Sequence, residues 1–481
     1  MKRFRSSGLA GPIDPLDWEC GCRFGNVNLG NVRRPTLIAA GCLSASSAYA
    51  ADVAVATTSQ LEAAIAAAKP GDTIILGDGV YVSTGLSCDA SGTEQAPIVV
   101  RAKTPLAAVV RFDALEGFRV AGDHWHFSGL VVEGVCAVDS DCEHAFHVNG
   151  GAGFRLEGSR VVDFNAQLKV NAVPLGPGFK LPHDGLIEGN EIYDTRPRDT
   201  DNPVTKLNID SGDDWVVRAN VIHDFHTEAH ESYGAFLKCG GQRGIMERNL
   251  VVCAKQFSGG VRVGLSLGGG GCGPQFCQPA FDPNTPCVEH TDGIIRNNVI
   301  VNCSDVGVYI NESANSRVLY NTLIATTGID FRFSRTTGEA IGNVLAGKIR
   351  NRDGSTGSFA NNLAEVEAAD FEAMYVGPLI GDLRRNGDLS ALLGQGPAVP
   401  DVTDDYCARA RGATFDLGAI QHSLGDCAIE PPPGDGGGDP PGQPEGDVAG
   451  GCCQGGSDAA WIGAIPLLLV LPLRPRRYTR P

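Results

Sequence analysis

The densest run of chemically able side chains lies between Asp194 and Gly264. Within Val221–Glu231, His223, His226 and His230 are interleaved with Asp224, Glu228 and Glu231. That spacing can hold a metal ion or supply an acid/base imidazole. Strand alternation sets His223 opposite His226, so a hydrogen-bonded role competes with ligation; His230, beside Glu231, is the strongest member. Upstream, Asn208 and Asp210 can add oxygen ligands suited to calcium, against the plainer reading of turn chemistry before Gly212. Downstream stand two cations, Lys238 and Arg262, which also read as solvated side chains on an exposed sheet face. A guanidinium fork can clamp a carboxylate, and a neutral lysine can take a proton from carbon. Asp210, Asp213, Asp214 and Glu231 could instead furnish the carboxylate pair of a glycoside hydrolase, although nothing fixes their separation. The glycine run Gly268–Gly271 is no phosphate cradle, because no Lys-Ser/Thr follows it.

Those side chains need a frame. A phrase recurs as Gly185-Leu-Ile-Glu-Gly-Asn190, Trp215-Val-Val-Arg-Ala-Asn220, Gly244-Ile-Met-Glu-Arg-Asn249 and Gly293-Ile-Ile-Arg-Asn-Asn298. Looser copies end at Asn321, Asn343 and Asn362. The step is roughly 20–30 residues; the longer gap from Asn249 to Asn298 reads as two periods, with Gly259–Leu267 and a Cys-rich insertion as the missing coil. Each phrase is two short strands of alternating apolar residues around a polar corner. At about 3.3 Å per residue, such a unit suits three strands and three turns. One unit cannot bury its apolar face, but stacked units can. A corner amide can bond its own turn and stack on the equivalent amide one coil away. The amphipathic segment Thr58–Ala68, placed before the first coil, would cap the open end of the stack.

This pattern resembles right-handed parallel β-helix proteins over roughly Ala51 to Gln421. The entry phrase Lys69-Pro-Gly-Asp-Thr-Ile-Ile-Leu-Gly-Asp-Gly-Val-Tyr81 and Ala96-Pro-Ile-Val-Val-Arg-Ala102 are similar to their first coils. Arg409–Gln421 looks like the closing segment of surface-anchored members. The expected fold is all-β: a single-stranded right-handed parallel β-helix with a short N-terminal capping helix, over residues 51–429. The entry phrase and the 194–264 stretch together resemble the polysaccharide lyase family of alginate lyases and chondroitinase B. That resemblance implies a lysine base at Lys238, an arginine at Arg262 and a calcium carboxylate at Glu231; Asn208 and Asp210 could add oxygens to the ion, and His230 stands beside it. Tyr233 stands where a second carboxylate is expected. The implied reaction is β-elimination on a uronic-acid polymer, where cations must face the sugar carboxylate as charge builds on it. One coil apart, Lys238 and Arg262 would face each other at about 4.7–4.9 Å. The alternative is a non-catalytic surface rod that binds glycan or builds the envelope, which would scatter these two cations.

Composition bounds both readings. Lys+Arg is 39 against 56 Asp+Glu, a net charge of −17, which excludes a general nucleic-acid binder and confines an acidic polysaccharide to a locally basic cleft. A hydrophobic share of 42% excludes a disordered chain. Residues 1–50 read as a leader, with Arg33-Arg34, an apolar stretch and Ala48-Tyr49-Ala50 as a cleavage site. Residues 430–449 read as a Pro/Gly-rich linker. Residues 450–481 carry Cys452-Cys453, a short apolar run and an Arg cluster, resembling myxobacterial C-terminal sorting signals; a short membrane-spanning tail is the rival. The expected protein is a secreted or cell-surface monomer that meets a membrane only through this tail. Of 16 cysteines, those of the body should largely pair, with Cys136/Cys142 and Cys407/Cys427 as candidate loops and Cys239 or Cys253 left over.

Overall fold

The computed structural model describes residues 50–270, 272 and 288–427. The leader, the linker, the C-terminal segment, Cys277 and Cys287 lie outside the described residues.

Each coil contributes one strand to each of three long sheets, of 12, 10 and 10 strands, paired throughout in parallel. The chain winds as a right-handed parallel β-helix, the hand that right-twisted strands favour when they cross to a parallel neighbour. The first sheet runs from Asp52–Val55 to Thr356–Ala360, the second from Gly79–Ser83 to Val344–Leu345, and the third from Leu86–Cys88 to Lys348–Arg352. Alternation sends every second side chain inward, and equivalent positions stack. Phe127, Leu156, Ile187, Val217, Met246, Ile295 and Val318 form one such column, buried throughout. Helix α1 (Thr58–Ala67) closes the N-terminal end by burying Leu61 and Ile65 on the first coil. Thr57 Oγ1 accepts from the Gln60 amide while Gln60 Oε1 accepts from the Ala56 amide, a reciprocal cap that fixes where the helix starts.

The corner asparagines form a continuous ladder. From Asn190 through Asn220, Asn249, Asn298, Asn321 and Asn343 to Asn362, each Nδ2 donates to the next Oδ1 at 2.9–3.0 Å. The same Oδ1 accepts the backbone N–H of the preceding asparagine, and Nδ2 also reaches a carbonyl one coil back. Burying an amide demands such partners, so the residue is fixed at every turn. The ladder corrects the coil count: Asn249 bonds Asn298 directly, 49 residues on, so that interval is one coil. The supposed missing coil, Arg262–Leu267, is the third strand of the Asn249 coil, and the Cys-rich insertion follows it in sequence.

The cysteines correct another expectation. Cys136–Cys142 and Cys407–Cys427 pair as the spacing suggested, but Cys239 bonds Cys272 and Cys253 bonds Cys303. Among the described residues the free thiol is buried Cys88. No helix among the described residues is long and apolar enough to cross a membrane.

The chain after the last coil covers part of the first and second sheets and leaves the third open. Helix α2 (Ala368–Met374) and the segment to Cys427 bury Phe371, Tyr375, Leu389, Leu392 and Ile420 against the outer faces of Leu250, Val252, Val299 and Val301 in the second sheet. Val399, Val402 and Phe415 cover Leu319 and Tyr320 of the first. The third sheet's outer face carries charged and polar side chains instead.

Candidate functional site

That outer face is built by repetition. The strands His144–Asn149, Ala166–Asn171, Thr205–Asp210, Ser232–Lys238 and Arg262–Leu267 lie side by side. Leu168, Leu207, Ala235 and Leu265 point into the core in register. Alternation therefore sends Lys169, Asn208 and Phe236 outward in one row, with Asp210 and Lys238 in the row beside it.

Their polar atoms converge. Lys169 Nζ donates to Asn208 Oδ1 at 3.0 Å and forms a short ion pair with Asp210 Oδ2. The other Asp210 oxygen lies 3.7 Å from Lys238 Nζ. One carboxylate thus sits between two ammonium groups. Lys238 Nζ also donates to the Gly270 carbonyl at 2.9 Å and rests 4.5 Å above the Phe236 ring. The turn that delivers this carbonyl needs glycine: Gly268 has φ +76°, and a Cβ there would stand 1.8 Å from the Asn311 carbonyl oxygen. Cys239–Cys272 ties the residue after Lys238 to the far side of the same turn. Glu289 completes it, accepting from the Gly269 and Gly270 amides at 3.2 and 3.1 Å. Burial pushes the Glu289 carboxyl above its ordinary range, against the pull of those amides and of Lys238. On the next strands back, His147 bridges Glu116 at 2.7 Å and Asn171 at 3.1 Å. Neighbouring His144 is held neutral: burial, helped by His147 and Lys169, pulls its pKa down to about 3.

The structure divides the residues singled out in the sequence. Asn208, Asp210 and Lys238 share one end of the face. Arg262 pairs with Ser232 while Leu267 pairs with Leu237, so Arg262 enters the strand pair where Lys238 leaves it. Six residues at roughly 3.3 Å each separate the two cations by about 20 Å, not one strand spacing. Glu231 and His230 are exposed and precede Ser232, at the Arg262 end. The expected juxtaposition of Lys238 with Arg262, and of Glu231 with Asn208 and Asp210, is therefore corrected. The resemblance placed these residues on the right coils, but register along the strand separates them.

Arg262 is 1% exposed. Its Nη1 donates to the Cys253 and Phe257 carbonyls, while Nε and Nη2 have no hydrogen-bond partner. Burial lowers its pKa, opposed by Asp224 and Glu228. It borders a cleft of about 430 Å³ whose lining includes Phe257, Ser258, Gly259, Asn302 and Ser304. The histidine run is taken up locally: His223 Nδ1 lies 2.8 Å from Asp224, and His226 Nε2 lies 2.9 Å from Glu228. Among the described residues no three His, Cys, Asp or Glu side chains gather as metal ligands. Asn208 Oδ1 and Asp210 Oδ2 are turned to Lys169, Asp210 Oδ1 accepts no hydrogen bond, and Glu231 is at the other end. The set expected for calcium does not fit one.

Sequence reasoning missed Lys169, His147, Glu116 and Glu289. For Lys169 a signal existed: Leu168-Lys-Val-Asn171, Leu207-Asn-Ile-Asp210 and Ala235-Phe-Leu-Lys238 share a rhythm, and aligning them would have put Lys169 beside Asn208. Glu289 follows the insertion, where no repeat marks it.

Residues 55–148 match the Chondroitinase B family. No curated protein sequence matches the chain. Among solved structures, pectate lyase Pel9A is similar with a TM-score of 0.51 and 17% identity, over 78% of this chain and 97% of that one. An alginate lyase from Paenibacillus sp. str. FPU-7 has a TM-score of 0.38 and 18% identity, over 64% of this chain and 97% of that one. Both of these structures are lyases by name, and the likeness to Pel9A bears out the β-helix fold.

Proposed function

We propose that this protein is a polysaccharide lyase that cleaves a uronic-acid-containing polymer by β-elimination on the outer face of the third sheet. The observation that carries the reading is the Lys169–Asp210–Lys238 group, half-buried on a sheet face that the C-terminal segment leaves open. In the reaction Lys238 serves as base: its ammonium first gives a proton to water, then the C5–H bond breaks and the C5 proton passes to the free amine Nζ. The electron pair forms the C4=C5 double bond, the C4–O bond breaks, and the leaving oxygen takes a proton from solvent water. Lys169 stands within reach of the uronate carboxylate, where negative charge grows as the C5 proton leaves. Asp210 holds the Lys169 ammonium and faces Lys238 Nζ. Arg262, His230 and Glu231 take no part in bond breaking, because they sit at the other end of the strands. No step is routed through a metal ion.

The reading also places the protein outside the cell. Four cystines among the described residues support this, since disulfides persist in oxidising compartments.

The test is incubation of the protein with alginate, pectate and chondroitin sulfates while following ultraviolet absorbance of unsaturated uronates. Absorbance should rise with one of them and vanish in Lys238→Ala. A folded protein that binds a glycan but yields no unsaturated product would favour the non-catalytic rod.

A further inference from the structure

We propose that the Lys169 ammonium is the resident cation of this face, filling the oxygen set a divalent ion would need, so that the site neither binds nor requires one. The geometry carries this without reference to the reaction. Asn208 Oδ1 and Asp210 Oδ2 both address Lys169 Nζ, the first at 3.0 Å. Asp210 Oδ1 faces Lys238 Nζ at 3.7 Å. Asn171 Oδ1, next along the face, is engaged by His147 Nε2 at 3.1 Å. Asn208 Oδ1, Asp210 Oδ2 and Asn171 Oδ1 thus each meet an ammonium or ring nitrogen; Asp210 Oδ1 accepts no hydrogen bond, and one such oxygen falls far short of the about 6–8 that calcium asks for. The side chains of Lys169 and Asp210 are 18% and 15% exposed, enough for a ligand to meet them and too little for water to strip the pair apart. A lysine gives a fixed single charge on a tethered stem, so the cation cannot be diluted or chelated away. Its further role, as the group that meets a uronate carboxylate beside Lys238, rests on the lyase reading above.

Calcium titration by calorimetry, terbium luminescence and thermal unfolding in Ca2+ or in EDTA test the proposal on the intact chain. Wild type should bind neither ion stoichiometrically, and its Tm should be the same in both buffers. Lys169→Met uncovers Asn208 and Asp210 and should bind terbium roughly tenfold or more tightly than wild type, with a Tm that rises in Ca2+. Lys169→Arg, which keeps the charge, should behave as wild type. Stoichiometric calcium binding by wild type that is lost in Asp210→Asn would overturn the proposal. So would a folded Lys169→Met, by circular dichroism, that gains no affinity. If Lys169→Met does not fold, the wild-type and Asp210→Asn titrations decide alone. On any polymer the wild type cleaves, EDTA should leave the rate unchanged; a rate lost to EDTA and restored by Ca2+ overturns the proposal. A chain that cleaves no polymer sinks the lyase reading instead, and leaves the binding result standing.

Discussion

The two ends of the same strands treat charge in opposite ways. At the Lys238 end, Lys169, Asp210 and Lys238 keep 18, 15 and 12% of their side chains exposed. At the Arg262 end, Lys206 and Asp194 keep none, His223 keeps 1% and Asp224 none. The first group holds its charges where a ligand can exchange with water. The second has surrendered its hydration and is committed to the scaffold. A cation's place on a particular coil thus says little about its job; its depth and its position along the strand decide.

The largest expected effect breaks or sharpens this contrast directly. Lys238→Ala should lower turnover about 10²–10⁴-fold, the range for losing a positioned acid/base, with little change in Tm. Arg262→Met should leave turnover within about tenfold of wild type. Steady-state rates on the polymer identified by absorbance check both. Equal losses in the two folded variants would end the division into a chemical and a structural end.

Next in size is the deepest ion pair. Lys206 Nζ lies 2.5 Å from Asp194 Oδ2 and also donates to the Phe164 carbonyl at 2.9 Å. Burial lowers the lysine's pKa and raises the aspartate's, each opposed by the partner. Lys206→Met strands a buried carboxylate and should cost about 3–5 kcal/mol in urea unfolding. Replacing both partners with apolar residues should recover much of that. A single variant as stable as wild type would mean that water reaches the pair.

Arg262→Met should cost less, no more than about 2 kcal/mol by the same measurement. It deprives two carbonyls of a donor, but it also removes a buried charge with two unpartnered nitrogens. A loss as large as that of Lys206→Met would mean that Arg262 is better satisfied than these contacts imply.

These contrasts mark what the sequence could convey. The ladder was legible because a buried amide between coils must find partners on both sides, so Asn190, Asn220 and Asn249 recur with the same flanks. The capping helix was legible from its apolar spacing and from the absence of any other such segment. Register on the third sheet was not. The corners between the second and third strands are nearly equal, 224–231 and 253–261, but Lys238 lies 18 residues after Asn220 and Arg262 only 13 after Asn249, so Lys238 closes its strand while Arg262 opens the next. Counting coils from the corner asparagines brought the two onto neighbouring strands and could not say at which end. The Cys-rich insertion misled the coil count for another reason: added chain length between two strands need not add a coil. Lys169 went unseen because its coil carries Ser159 rather than asparagine at the corner.

The smallest expected effect tests the Arg262 end by pH. His223 sits 2.8 Å from Asp224 and 3.5 Å from Glu191, stacked on Tyr193. Burial pulls the imidazole's pKa down, but the two carboxylates outweigh it and hold the folded value above the ordinary one. Asp224 is in turn fixed by the Lys255 and Gln256 amides at 2.8 Å, in the loop that carries Phe257 over Arg262. A group whose pKa rises on folding stabilises fully below its unfolded value, about 6.5 for histidine, and loses that contribution as pH climbs through the folded value. The Tm difference between wild type and His223→Gln should therefore be greatest near pH 5–6 and shrink toward alkaline pH. A His223→Gln difference that stays constant or grows with pH would mean that the imidazole is neutral in the folded chain, and that the carboxylates around it answer to Arg262 instead.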